Sequence, residues 1–75
     1  MSRLPRVTGA DVVRALEREG FIFLRQKGSH AYLRHPDGRG TVVPLHAGET
    51  LGPGLVSKIL RDVKLDRHRF ETLLG

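Results

Sequence analysis

The sequence predicts a small α+β domain in the order α-β-β-β-α, a three-stranded antiparallel meander with one face covered by an amphipathic helix. Three observations carry that expectation. Apolar residues recur at helical spacing near both ends, at Val12, Val13 and Leu16 and again from Leu55 to Val63. The stretch between them is rich in β-branched and aromatic residues and is cut by Gly28-Ser29 and by Pro36-Asp37-Gly38. Connections that short join antiparallel strands, because parallel strands need a crossover of a dozen residues or more.

Thr8 reads as the N-cap of the first helix, with Asp11 in the first turn near the positive end of the helix dipole. Gly20 can take a positive φ and end that helix, which is placed at residues 9–19. Phe21-Ile22-Phe23-Leu24 then reads as the first strand, bounded after Lys27 by Gly28-Ser29. A second strand is expected from His30 to His35 and a third from Thr41 to Leu45, joined by a hairpin turn at Pro36–Arg39. Pro44 donates no ladder hydrogen bond and belongs near a strand end or an edge. Pro53 suits the first position of another helix, whose stripe is Leu55, Val56, Ile59, Leu60 and Val63. Asp66 caps a last short helical segment, with Leu65 placed to meet Phe70 as a hydrophobic staple.

Seventy-five residues suffice for one domain, 1–75, and a chain this short buries little more than ~60% of its unfolded surface. A large enclosed active-site cavity is therefore not expected. Without cysteine there is neither a disulfide framework nor a thiolate metal site, which fits a reducing cytosol. No apolar run approaches the roughly 18 residues of a membrane span. Residues 1–6 also lack the apolar stretch of a secretory signal, so a soluble cytoplasmic protein is expected.

The net charge is +5, and most of it sits in the middle of the chain. Residues 21–46 carry Arg25, Lys27, Arg34 and Arg39 against Asp37 alone, together with His30, His35 and His46. Each flank nets only +1. A concentrated basic surface favours a polyanion such as RNA, DNA or an acidic protein.

Lys27-Gly28-Ser29-His30 joins a cation, a flexible glycine, a hydroxyl and an imidazole at one turn. An imidazole can take or give a proton near neutral pH, as cleavage of RNA through its ribose 2′-OH requires. Lys27, Ser29 and nearby Arg25 are suited to stabilising charge on phosphate oxygens, and Gly28 lets backbone approach a ligand closely. Strand alternation puts His30, Tyr32 and Arg34 on one face and Ala31, Leu33 and His35 on the other, of which only the second set suits a core. The first set combines groups that stack on bases and pair with phosphates. Arg25 and Lys27 likewise share one side of the first strand. Arg14 and Arg18 read as a solvated helix face, and His35 and His68 as residues outside the chemistry. The central stretch offers one carboxylate, Asp37, for a hard cation, and the histidine spacings match no trusted zinc pattern, so no metal or other cofactor is expected. His46 and Lys27 are candidates for a second proton-transfer group.

From the first helix onward the chain resembles the HicA toxins of bacterial and archaeal toxin-antitoxin systems. The resemblance runs through Gly20-Phe21, Arg25-Gln26-Lys27-Gly28-Ser29-His30, Val42-Val43-Pro44-Leu45-His46 and the helix from Leu55 to Leu60, covering roughly residues 8–72. The sequence departs from the family pattern at Lys64, where many relatives have a glycine. The resemblance implies a fold related to double-stranded RNA-binding domains, with helices packed on one face of the sheet. It implies an mRNA interferase, a ribosome-independent endoribonuclease that arrests growth, with His30 as its catalytic residue. It also implies a HicB-type antitoxin that masks the active face and can link the complex to DNA. Arg25, Lys27, Gly28, Ser29, Tyr32 and Arg34 are then the expected RNA contacts. A non-catalytic RNA-binding module on the same face, or a surface for an acidic protein, satisfies the same residue pattern.

Overall fold

The computed structural model describes residues 6–75; the reading of the first residues as free of a secretory signal falls mainly outside them. Thr8 sets the first helix boundary. Its hydroxyl accepts from the Asp11 N–H at 3.2 Å while the Asp11 carboxylate accepts from the Thr8 N–H at 2.9 Å, a reciprocal capping box. The Thr8 N–H and hydroxyl hold the Asp11 carboxyl below its usual range. Helix α1 spans Gly9–Glu19 and stops at Gly20, whose φ of 108° is available to glycine at little cost. Gly9 is buried against the end of the third strand, and a Cβ there would overlap the Pro44 carbonyl oxygen. This close approach was not legible in Thr8-Gly9-Ala10 read as a helix start.

The sheet has three antiparallel strands in sequence order, β1 (Ile22–Lys27), β2 (His30–Arg34) and β3 (Gly40–Pro44). The first strand begins one residue later than expected and continues through Arg25-Gln26-Lys27 to the turn. Phe21 stays outside it, buried, with its backbone N–H on the Leu16 carbonyl. Ala31, Leu33 and Val43 point into the core, joined by the hydroxyl-bearing Thr41.

Helix α2 spans Pro53–Val63 and packs on β3, burying Val56, Ile59, Leu60 and Val63 and leaving Leu55 at the rim of the stripe. It ends at Lys64, the single non-glycine residue with positive φ among the described residues (φ 55°, ψ 43°). A glycine would sit there without the Cβ–carbonyl crowding that costs roughly 1 kcal/mol. Asp66 accepts from the Arg69 N–H at 2.7 Å and opens α3 (Arg67–Leu74), which packs on α1. Phe70 is fully buried, and Leu65 packs against the core that Phe70 helps to fill. The last helix is thus a core element of two turns.

The helices lie on one side of the sheet and are displaced toward β3, with α1 bridging β3 and β1. Phe23, opposite Leu33 in the ladder, consequently remains 37% exposed, and every residue of β1 is exposed. Among the described residues no helix is long and apolar enough to cross a membrane.

Candidate functional site

A two-residue hairpin builds the centre of the site. Lys27 and His30 are cross-strand partners, and Gly28-Ser29 closes the turn between them. Gly28 has φ 60° whereas Ser29 does not enter the left-handed region, the pattern of a type II′ turn with glycine first. Space above Gly28 is open, so its glycine identity answers the backbone angle and leaves an unobstructed approach. The turn is tied down on both sides: the Gln26 side-chain amide donates to the Gly28 carbonyl at 3.0 Å, and the Leu45 N–H donates to the Ser29 carbonyl.

Alternation on β2 falls as expected, with Ala31 and Leu33 buried, Tyr32 half-buried and His30 and Arg34 exposed. On β1 a bulge decides the outcome. Regular pairing would set Phe23, Arg25 and Lys27 on one face. Instead the register shifts between Phe23 and Arg25: Phe23 opposes Leu33, Leu24 is the extra residue, and Arg25 and Lys27 oppose Tyr32 and His30. The two-residue hairpin sets both cations on the open face beside the histidine, and the bulge turns Phe23 to the helix side. The bulge also puts Ile22 opposite Arg34 on the open face. Arg25, Lys27, Gly28, Ser29, His30, Tyr32 and Arg34 therefore gather along one hairpin and its outward face.

The two sides of the sheet differ in how their cations are held. On the helix side several are engaged: Arg14 with Asp11 at 2.6 Å, Lys58 with Asp62 at 2.8 Å, Arg69 with Glu19 at 2.9 Å, and Arg18 with the Leu73 carbonyl. Arg14 and Arg18 are thus tied locally, not simply solvated. Arg39 also belongs here. Its guanidinium donates to the Val63 carbonyl at 2.6 Å, pairs with Asp37 at 2.9 Å and covers the Phe21 ring at 5.0 Å. Arg39, counted with the basic middle in the sequence, is therefore absorbed by the fold. On the open face Arg25 lies over the Tyr32 ring, its guanidinium carbon 4.9 Å from the centroid. Lys27, Arg34 and His30 make no ion pair or hydrogen bond through their side chains among the described residues. Two carboxylates of the strand region and α2 are occupied. Hydrogen bonds from Arg39 hold Asp37 below the usual carboxylate range, and those from Lys58, with Thr41, do the same for Asp62.

Such a face can present an accessible imidazole flanked by cations to a phosphodiester. Lys27 stands directly across the ladder from His30. His46 is exposed two residues beyond Pro44, the β3 partner of His30. Sequence reasoning passed over Val42, which opposes Tyr32 and is 37% exposed, and the bulged Leu24, which is 56% exposed. Strand alternation would have located Val42; the bulge concealed Leu24.

The model of the HicA toxin of bacterial toxin-antitoxin systems matches residues 9–65. The chain belongs to the HicA toxin family. The match contains all three strands, the Gly28-Ser29 hairpin and α2, so the open face described above is a HicA face. Helix α3 lies outside it. HicA toxins are generally ribonucleases, and membership implies an antitoxin partner. No curated protein matches the chain.

Proposed function

We propose that this HicA toxin is a ribosome-independent endoribonuclease that cleaves mRNA with His30 as its general base or acid. The observation that carries the reading is the placement of an exposed imidazole, without a partner among the described residues, beside Lys27 on a cationic face. As base, His30 takes the proton of a ribose 2′-OH. The 2′-oxygen then forms a bond to the adjacent phosphorus, the bond from phosphorus to the 5′-oxygen breaks, and that oxygen takes up a proton. The products are a 2′,3′-cyclic phosphate and a 5′-hydroxyl. Lys27, Ser29 and the turn backbone stabilise charge on the phosphate oxygens, while Arg25, Arg34 and Tyr32 hold the flanking chain. Lys27 and His46 are the candidates for returning the proton to the leaving oxygen. The mechanism uses no metal, in keeping with carboxylates already engaged by Arg39 and by Lys58. A HicB-type antitoxin inhibits the toxin by covering this face, and the complex reaches DNA only through the antitoxin. The whole of 1–75 acts as one toxin domain in the cytoplasm.

Wild type and His30→Ala are compared on a long RNA in the presence of chelator. Cleavage by the variant falls at least ~100-fold, in line with removal of a general acid or base. Equal cleavage by the two overturns the role of His30, and a requirement for added metal overturns the mechanism.

A further inference from the structure

The chemistry at His30 and Lys27 leaves open what the middle of the open face holds. Tyr32 stands mid-face, between Arg25 across one ladder and Val42 across the other. Arg25 is exposed while its guanidinium carbon lies 4.9 Å from the Tyr32 ring centroid, so ring and guanidinium form a stack that opens to solvent. Around it lies a cleft of about 560 Å³, lined also by Leu24, Val42, Arg34 and the Lys58–Asp62 ion pair.

We infer that this cleft is a subsite for one unpaired nucleobase of single-stranded RNA, stacked on the Arg25–Tyr32 pair one step from the phosphate at His30. The inference deepens the ribonuclease reading and rests on it for the identity of the polymer. A phosphate alone has no use for a flat ring, nor for the exposed apolar surface of Leu24 and Val42. A base uses all of them: its face covers the guanidinium plane and its edges exclude water from the two aliphatic side chains. Cations flank the ring along the hairpin, Lys27 beyond Tyr32 in one direction and Arg34 in the other, as phosphates on either side of a bound base require. Residues i and i+2 on a strand are roughly 7 Å apart, so His30 and Tyr32 are spaced for neighbouring parts of one extended chain. In an A-form duplex the base faces are stacked inside and cannot reach such a platform. The site therefore selects unpaired RNA, whichever nucleotide is cleaved.

Tyr32 is the only tyrosine and there is no tryptophan, so intrinsic emission reads this ring alone. The full chain is titrated with a 2′-O-methylated single-stranded hexanucleotide, which lacks the attacking hydroxyl and stays intact. A saturable quench of emission is expected, with none from the matched duplex or from an abasic strand of equal charge. In a competition format, Tyr32→Ala weakens binding roughly 5- to 100-fold, and so does Arg25→Ala at an exposed position, whereas Tyr32→Phe binds within about twofold of wild type. An equal quench by duplex or abasic strand overturns the inference, as does unchanged binding by both alanine variants. So does quenching by an acidic peptide in place of the oligonucleotide. Cleavage of RNA without any quench would sink the subsite and leave the ribonuclease standing; a base-dependent quench without cleavage would do the reverse.

Discussion

His30 and His35 lie five residues apart on one run of chain, yet they meet opposite surroundings. His30 opens β2 on the outward face, where its ring has no partner among the described residues. His35 follows the end of β2 on the helix side. Its Nε2 lies 3.3 Å from the Glu19 carbonyl oxygen, its Nδ1 accepts the Asp37 N–H at 3.1 Å, and the ring meets Phe21 edge-on at 5.1 Å. The two contacts together call for the tautomer with the proton on Nε2. Strand parity makes the difference: a separation of five residues changes face, whereas a separation of two or four preserves it. One imidazole is held by the fold and the other is left available to a substrate.

The arginines repeat the contrast, and their variants sharpen it. Arg39→Ala removes the donor to the Val63 carbonyl, the pair with Asp37 and the cover over Phe21. A loss of about 2 kcal/mol in urea denaturation is expected, with RNA affinity of the folded protein unchanged. A variant that folds with full stability but binds RNA weakly would move Arg39 to the binding side and break the division. Lys64→Gly relieves the left-handed turn after α2 and should raise stability by roughly 1 kcal/mol without altering cleavage. The smallest effect is on the acid limb. Arg39 holds the Asp37 carboxyl low in the folded protein, and Lys58 does the same for Asp62. Their stabilisation is present above the unfolded carboxylate value of about 3.9 and is lost as pH falls through the lower folded values. The melting temperature should therefore drop below about pH 4, and Arg39→Ala should flatten the part that belongs to Asp37.

Much of this arrangement was legible in the sequence because it depends on local chemistry. Thr8, Gly20, Pro53 and Asp66 mark helix ends through their own side chains or backbone freedom, and the alternation of β2 follows from a period of two. What was not legible depends on pairing between distant segments. Nothing in Phe23-Leu24-Arg25 announces that the ladder slips there, yet that slip turns Phe23 to the helix side and sets Ile22 on the face of His30. Nor does the composition of residues 21–46 reveal that Arg39 finds Val63 and Glu19, far along the chain in either direction. Charge counted along a sequence overstates what a surface offers, since some cations serve the fold. The reverse holds for Leu24 and Val42, apolar residues that tertiary structure leaves on the open face.

The two histidines supply the most direct measurement. RNA cleavage by His30→Ala and by His35→Ala is compared at equal concentrations of folded protein, with urea denaturation run on both. His30→Ala should lose at least ~100-fold in cleavage at wild-type stability, and His35→Ala should lose about 1 kcal/mol in stability at wild-type cleavage. Equal losses of cleavage in the two variants, or intact cleavage in His30→Ala, would contradict the assignment of catalysis to the open face.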